Sequence, residues 1–136
     1  MRYLAIDHGE KRTGLALCDA AETMAFPLKV ITEKALFVKS IIKVIHEENI
    51  EAVVVGLPLN MDDTEGPRAK SVRNFAVQLE KQVVVPVLFF DERLSSFDAE
   101  KKLAGLELTR KMKKKHLDAV AAASILQSFL DDKHDR

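Results

Sequence analysis

The sequence predicts an α/β protein in which a mixed β-sheet is flanked by helices. Three observations support this class: strand-like segments joined by short turns open the chain, two apolar runs rich in β-branched residues follow, and segments with helical spacing lie between and after them. With 136 residues, of which 47% are hydrophobic, the chain is predicted to form a single domain over residues 1–136.

The first part of the chain contains three predicted strands and one helix. Residues 2–7 and 13–19 form strands joined by a turn around His8–Arg12, and a third strand follows Pro27 at residues 28–31. The short turns predict antiparallel pairing. Thr32 is the predicted N-cap of the helix. The apolar residues with helical spacing are Leu36, Phe37, Ile41, Val44 and Ile45.

The second part alternates strands with helices. Residues 52–56 form a continuous β-branched run, which is typical of a strand buried on both faces. A loop rich in turn residues, 56–67, precedes a helix from Pro67 to about Lys81, and another apolar strand covers residues 83–90. These βα units predict parallel strands that lie near the centre of the sheet or under helical cover.

The C-terminal part is predicted to be helical around a basic tract. Ser96 can cap a helix over residues 97–103, and residues 110–116 contain no acid. A last helix, residues 116–130, is rich in small side chains. The tract is a candidate contact for nucleic-acid phosphates, although a solvated loop explains it equally well.

Composition narrows the class of protein. Basic and acidic residues number 21 each, so net charge alone predicts no nucleic-acid partner. The one cysteine, Cys18, excludes an internal disulfide and fits a reducing compartment. No window approaches the ~18 apolar residues of a membrane span, and the N-terminus lacks a signal peptide. We therefore expect a cytoplasmic protein without a membrane partner.

Four acids follow strands or begin the last helix: Asp7, Asp91, Glu92 and Asp118. Ligands of α/β proteins gather outside strand ends, so these carboxylates could converge, and an oxygen-only cluster suits Mg²⁺ or Mn²⁺. Each acid taken singly could instead be a cap or a solvated strand end. His8 is expected to point from its turn toward solvent. Zinc-ligand spacing, a nucleophile elbow and a phosphate-binding loop are absent from the sequence.

Four ordered sequence blocks resemble the YqgF family, also called RuvX. They are residues 7–16 (DHGEKRTGLA), 55–62 (VGLPLNMD), 91–96 (DERLSS) and 117–122 with 125–127 (LDAVAA, ILQ). Two departures affect loop residues: Asp63 stands where the family usually has glycine, and Ser96 stands where threonine is common. A third concerns the acids, since the strand over 52–56 ends without the glutamate of true junction resolvases, so Asp91 or Glu92 must supply that ligand.

The resemblance implies a fold and an activity. The fold is RNase H-like, with a five-stranded mixed sheet in the order 3-2-1-4-5. The activity is that of a nuclease that trims the 5′ end of pre-16S ribosomal RNA, or that cleaves branched DNA such as a Holliday junction.

The nuclease interpretation assigns roles to particular residues. Asp7 bridges two Mg²⁺ or Mn²⁺ ions about 3.5–4 Å apart, and Asp118 with one of Asp91 and Glu92 completes their ligands. The sequence leaves the choice between Asp91 and Glu92 open. Phosphate contacts are expected from basic side chains near these acids. They are Lys11, Arg12, Arg93, Lys113, Lys114 and Lys115.

Two other functions compete with a nuclease. A phosphotransferase of the actin-like class also has Asp-x-Gly after its first strand, but it needs two lobes and this chain holds one. A non-catalytic RNA-binding factor for ribosome assembly would keep the fold and bind precursor RNA equally well with Asp7→Asn. A purely structural protein gives no reason for acids at separate element ends. The sequence leaves open RNA or branched DNA, endonuclease or exonuclease, and monomer or homodimer.

Overall fold

The computed structural model describes residues 1–95 and 117–135. The strands are β1 (Tyr3–His8), β2 (Thr13–Cys18), β3 (Ala25–Ile31), β4 (Ala52–Leu57) and β5 (Val87–Asp91). The helices are α1 (Phe37–Glu47), α2 (Pro67–Glu80) and α3 (Leu117–His134), with short 3₁₀ turns at Lys34–Leu36 and Glu92–Leu94. None of the helices in these described ranges combines the length and apolar character required to cross a bilayer.

One mixed sheet carries all five strands in the order β3-β2-β1-β4-β5. β1 pairs antiparallel with β2, and β2 antiparallel with β3, as their short connections require. β1 pairs parallel with β4, and β4 parallel with β5, because helical crossovers join them. The predicted α/β class and strand order are confirmed, and β1 lies where the antiparallel and parallel halves meet.

Each face of the sheet has its own apolar core. Leu4 and Ile6 of β1 point to the face covered by α1 and α2, where they meet Val53 and Val55 of β4. Tyr3 and Ala5 point to the opposite face, which is covered by α3. Successive side chains of a strand alternate between faces, so Asp7 belongs to the α3 face and His8 to the α1–α2 face.

Three local predictions are wrong. Thr32 does not cap a helix, because the chain first forms the 3₁₀ turn and α1 begins only at Phe37. Leu36 occupies the N-cap position of α1, and its side chain makes no capping hydrogen bond. The strand predicted over 83–90 starts only at Val87. β5 lies at the edge of the sheet, and of the two predicted positions it takes the one under helical cover, since Phe89 and Phe90 join the cores on the two faces. β3 begins at Ala25, three residues before the predicted start. The predicted Ser96-capped helix, the basic tract and residue 116 lie outside the described residues.

Candidate active site

Asp7 lies on the α3 face of the sheet, and the neighbouring strand on each side has a glycine beside it. It pairs directly with Gly14 of β2, and Gly56 of β4 lies one step beyond the Ile6–Val55 pair on its other side. A Cβ atom on Gly14 would approach the Asp118 carbonyl oxygen to 2.0 Å, and one on Gly56 would approach Glu92 Oε1 to 2.9 Å. The two glycines therefore give Asp118 and Glu92 the space to approach β1.

Strand alternation separates Glu92 from Asp91. Phe90 points to the α3 face and Phe89 to the other, so Asp91 follows Phe89. Glu92, in the 3₁₀ turn after β5, comes back over Gly56 and hydrogen-bonds the side chain of Asp7. The structure thus brings Asp7 and Glu92 together and holds Asp91 apart.

Burial disfavours the state in which Asp7 and Glu92 are both ionised. Desolvation, followed by the charge of Asp7 and the hydrogen bond to it, raises the pKa of Glu92 to about 7. Desolvation also raises the pKa of Asp7, while the bond from Glu92 partly opposes that rise. A hydrogen bond between two carboxyl groups requires a proton on one of them, so burial favours the state in which the pair shares one proton.

Asp118 lies at the start of α3, close enough for its charge to raise the pKa of Asp7 further. Its Oδ2 accepts a hydrogen bond from Arg12 Nε at 2.9 Å, which joins α3 to the β1–β2 turn. The ion pair is largely exposed, so solvent screens it and it can open at small cost.

The acids do not yet form a complete metal cage. Within residues 1–95 and 117–135, no group of three or more His, Cys, Asp or Glu side chains is placed to hold an ion. The donor set nevertheless fits a hard divalent cation, because Asp7 and Glu92 offer only oxygen and their paired burial favours a cation in place of the shared proton. Asp118 can join them once it releases Arg12.

Asp91 and Arg93 have a structural use. Arg93 binds both oxygens of Asp91, donates to the Asn60 carbonyl at 2.8 Å and reaches Asp63 Oδ1 at 2.8 Å. These bonds fasten the 3₁₀ turn of Glu92 to the loop before α2. Every described contact of Arg93 is thus internal, and its predicted role as a phosphate contact stays a prediction.

His8 is buried, so the expectation that it points to solvent is wrong. Its ring stacks on Phe75 at 4.0 Å between centroids, and Nδ1 shares a hydrogen bond of 3.1 Å with the Thr13 hydroxyl. Desolvation, with a smaller effect from Lys34, lowers its pKa to about 4. Burial between two helices cannot be read from a histidine beside a glycine turn.

A cleft of about 390 Å³ lies beside Asp118, between the β1–β2 turn and the start of α2. Its lining residues are Gly9, Glu10, Lys11, Arg12, Arg68 and Asp118. Lys11 and Arg12 were predicted from sequence, but Arg68 was not. The available signal was an arginine in the first turn of a helix, where an acid is the favourable residue.

The sheet order and the flanking helices give the protein an RNase H-like fold, similar to that of RuvC. A T. thermophilus RuvC structure in complex with a Holliday junction matches with a TM-score of 0.68 and 19% identity, over 99% of this chain and 96% of that one. The fowlpox virus resolvase bound to its substrate junction matches with a TM-score of 0.57 and 13% identity, over 98% and 99% of the two chains. At these identities the likeness concerns the fold.

The chain belongs to the RuvX family, whose model, described as Holliday junction resolvase, matches residues 1–132. A relative from Anaeromyxobacter sp. (strain Fw109-5), named "Putative pre-16S rRNA nuclease", is 43% identical over 98% of this chain and 99% of its own length. One from Maridesulfovibrio salexigens with the same name is 41% identical over 96% and 98%. The family resemblance found in the sequence blocks is confirmed.

Proposed function

We propose that this protein is a divalent-metal-dependent nuclease that hydrolyses phosphodiester bonds in precursor ribosomal RNA. The names of its relatives support the nuclease activity and the RNA substrate. The observation that carries the proposal is the Asp7–Glu92 pair, two desolvated carboxyl groups in contact beside a cleft with basic walls.

The proposed ligands are Asp7, Glu92 and Asp118, with Asp91 left to hold Arg93. Mg²⁺ or Mn²⁺, as two ions, would supply a more acidic water and stabilise the leaving oxygen. For that role the chain must do two things. Glu92 gives up the proton it shares with Asp7, and Asp118 turns from Arg12. Arg12, once released, can contact a substrate phosphate together with Lys11.

Incubation of the purified protein with precursor 16S ribosomal RNA and with a four-way DNA junction, each with Mn²⁺, Mg²⁺ or EDTA, tests the proposal. We expect the RNA to be cut with either ion and to stay intact in EDTA. Asp7→Asn should abolish cutting, because it removes a charge but almost no volume. Asp91→Asn is the matched control, and it should keep cutting if Glu92 is the ligand.

The alternatives have their own outcomes. Cleavage of the junction but not of the RNA would establish the resolvase that the family description names. RNA binding without cleavage, unchanged in Asp7→Asn, would establish a non-catalytic assembly factor. A thermal shift gives a readout besides activity: Mn²⁺ should raise the Tm of the wild type more than that of Asp7→Asn, because an ion that binds only the folded state stabilises it.

A further inference from the structure

We propose that Arg68 binds a phosphate of the nucleic-acid substrate in the cleft that it shares with Lys11 and Arg12. The inference rests on the proposed nuclease function and adds a residue that neither the family resemblance nor the acid pattern identified. Two observations on Arg68 carry it: it has no carboxylate partner within the described ranges, and it lies in the first turn of α2 on the wall of the cleft.

Among the arginines of the described ranges, Arg68 stands apart because it has no carboxylate partner. Within the described ranges, Arg2, Arg12, Arg73 and Arg93 each form an ion pair. Arg68 forms none there, although it lines a cleft that also contains Glu10 and Asp118. A guanidinium group offers five donors in a planar fork that suits the two oxygens of a phosphate.

The position of Arg68 is unfavourable for α2 itself. It lies in the first turn, where the helix dipole favours an anion, and that turn contains no acid. Gly66 at the N-cap provides no side-chain cap, so helix N–H groups are also left for another acceptor. An anion bound in the cleft would meet both the guanidinium group and these donors.

The charge of Arg68 reaches the acid pair. It lowers the pKa of Asp7 and of Glu92, against the larger upward effect of burial. Arg68 and Asp118 also line the same cleft, so a phosphate held there by Arg68 would be near one of the proposed ligands, as a nuclease requires of the backbone it cuts.

The cleft also becomes more basic when the site is loaded. Three basic and two acidic side chains line the cleft, and Asp118 pairs with Arg12, so the lining carries one excess positive charge. If Asp118 turns toward a cation, Arg12 is released on the same side as Arg68. Lys11, Arg12 and Arg68 would then form one phosphate-binding wall.

Binding of a short fluorescein-labelled single-stranded RNA at several salt concentrations tests the assignment. The Asp7→Asn protein is used throughout, so that cleavage cannot consume the probe. Arg68→Gln should weaken binding roughly tenfold, since a charged hydrogen bond is lost. It should also reduce the slope of log affinity against log salt by about 0.7, the value for one phosphate contact on a single strand.

Lys70→Gln is the matched control: it removes the same charge from the same helix, but Lys70 does not line the cleft. It should leave the slope nearly unchanged. Arg68→Lys should restore the slope but only part of the affinity, because an ammonium group keeps the charge and loses the fork.

The outcomes separate this inference from the proposed function. Equal slopes for Arg68→Gln and Lys70→Gln, with strong RNA binding by the parent protein, would overturn the role of Arg68 alone. Failure of the parent protein to bind either the RNA or a four-way DNA junction would overturn the nuclease proposal as well.

Discussion

At the scale of single residues, the Asp7–Glu92 pair is a site that opposes stability. Two partly buried carboxyl groups held close together lower the free energy of unfolding when both are ionised. The pKa of Glu92, about 7, exceeds its ordinary value of 4.5, so the folded state holds this proton more tightly than the unfolded state. Stability from this group therefore falls as the pH rises from about 4.5 through 7.

Asp7→Asn should make the metal-free protein more stable at pH 8. The substitution removes the charge that raises the pKa of Glu92, and we expect a gain of roughly 1–2 kcal/mol in the free energy of unfolding. Urea unfolding in EDTA measures it. Asp91→Asn serves as the contrast and should lower stability, because the Asp91 carboxylate accepts bonds from Arg93. A destabilised Asp7→Asn protein would contradict the interpretation that ionising both Asp7 and Glu92 lowers stability.

His8 gives a second pH dependence of the opposite sign. Its pKa is lowered from 6.5 to about 4, so the unfolded chain takes up the proton first as the pH falls. His8 therefore contributes full stability above about pH 6.5 and loses it down to about pH 4, by up to about 3 kcal/mol.

His8→Gln removes this titration and keeps a partner for Thr13. The free energy of unfolding, measured in urea from pH 4 to 8, should fall less steeply in the variant between pH 6.5 and 4. Above pH 7 the difference between the two proteins should be constant. Parallel curves over the whole range would show that the pKa of His8 is the same in the folded and unfolded states, and would contradict the lowered value.

At the scale of elements, α3 is fixed to the sheet by a backbone contact. The first turn of α3 crosses β2 at Gly14. The α3 residues Ala119, Ala122 and Ala123 are fully buried. Gln127 continues the contact, because its Oε1 accepts the Ala25 N–H at 2.9 Å. Small residues let the helix lie close enough to bring Asp118 within range of Asp7.

Gly14→Ser should displace the start of α3. The new Cβ would lie 2.0 Å from the Asp118 carbonyl oxygen, which a helix backbone cannot relieve by a rotamer change. We expect a loss of roughly 2–3 kcal/mol in stability, as for other overpacked sites. Gly66→Ser is the matched control: its Cβ would be 3.4 Å from Asn60 Nδ2, and serine suits an N-cap. Thermal unfolding of both variants gives the comparison.

The presence of a strand could be predicted from alternating or continuously apolar residues, but its exact ends could not. Ala52–Leu57 is buried throughout, as its β-branched run indicated. Residues 83–86 are equally apolar, yet they lie outside β5, and Val84 is fully exposed. Hydrophobicity alone cannot show where pairing with β4 begins, because the register depends on the other strand.

The site was predictable as far as residue types allow. Acids after strands and at the last helix indicated Asp7, Asp91, Glu92 and Asp118. Only the alternation of β5 relative to β1 separates Asp91 from the three proposed ligands. The sequence signal for Arg68 was weak, an arginine in the first turn of a helix, because its proposed role depends on α2 starting opposite the β1–β2 turn. A sequence pattern does not show which distant segments of the chain contact each other.

At the scale of the whole molecule, the zero net charge conceals an uneven distribution. The cleft contributes one basic wall, and the lysine-rich segment at 110–116 precedes α3 in the chain. That segment lies outside the described residues, so its role stays a prediction. Its proximity in sequence to Asp118 favours a contact with substrate backbone near the acids.

Changing Lys113, Lys114 and Lys115 together to alanine tests that role. If all three contact phosphate, the slope of log affinity for single-stranded RNA against log salt should fall by about 2. The loss should be similar for unrelated RNA sequences, since backbone contacts position without specifying. A solvated tract would leave the slope unchanged. Lys39, Lys43 and Lys81, changed together, control for the loss of three charges.

The order in which the acids occur along the chain has a consequence for biosynthesis. Asp7 is synthesised before Glu92, and Asp118 is synthesised after both, with α3, which must then dock over Gly14 before Asp118 and Arg12 can pair. A nascent chain therefore holds an incomplete acid set until α3 has left the ribosome and folded. If these acids are the metal ligands, as proposed, the nuclease would remain inactive during its own synthesis until α3 has docked.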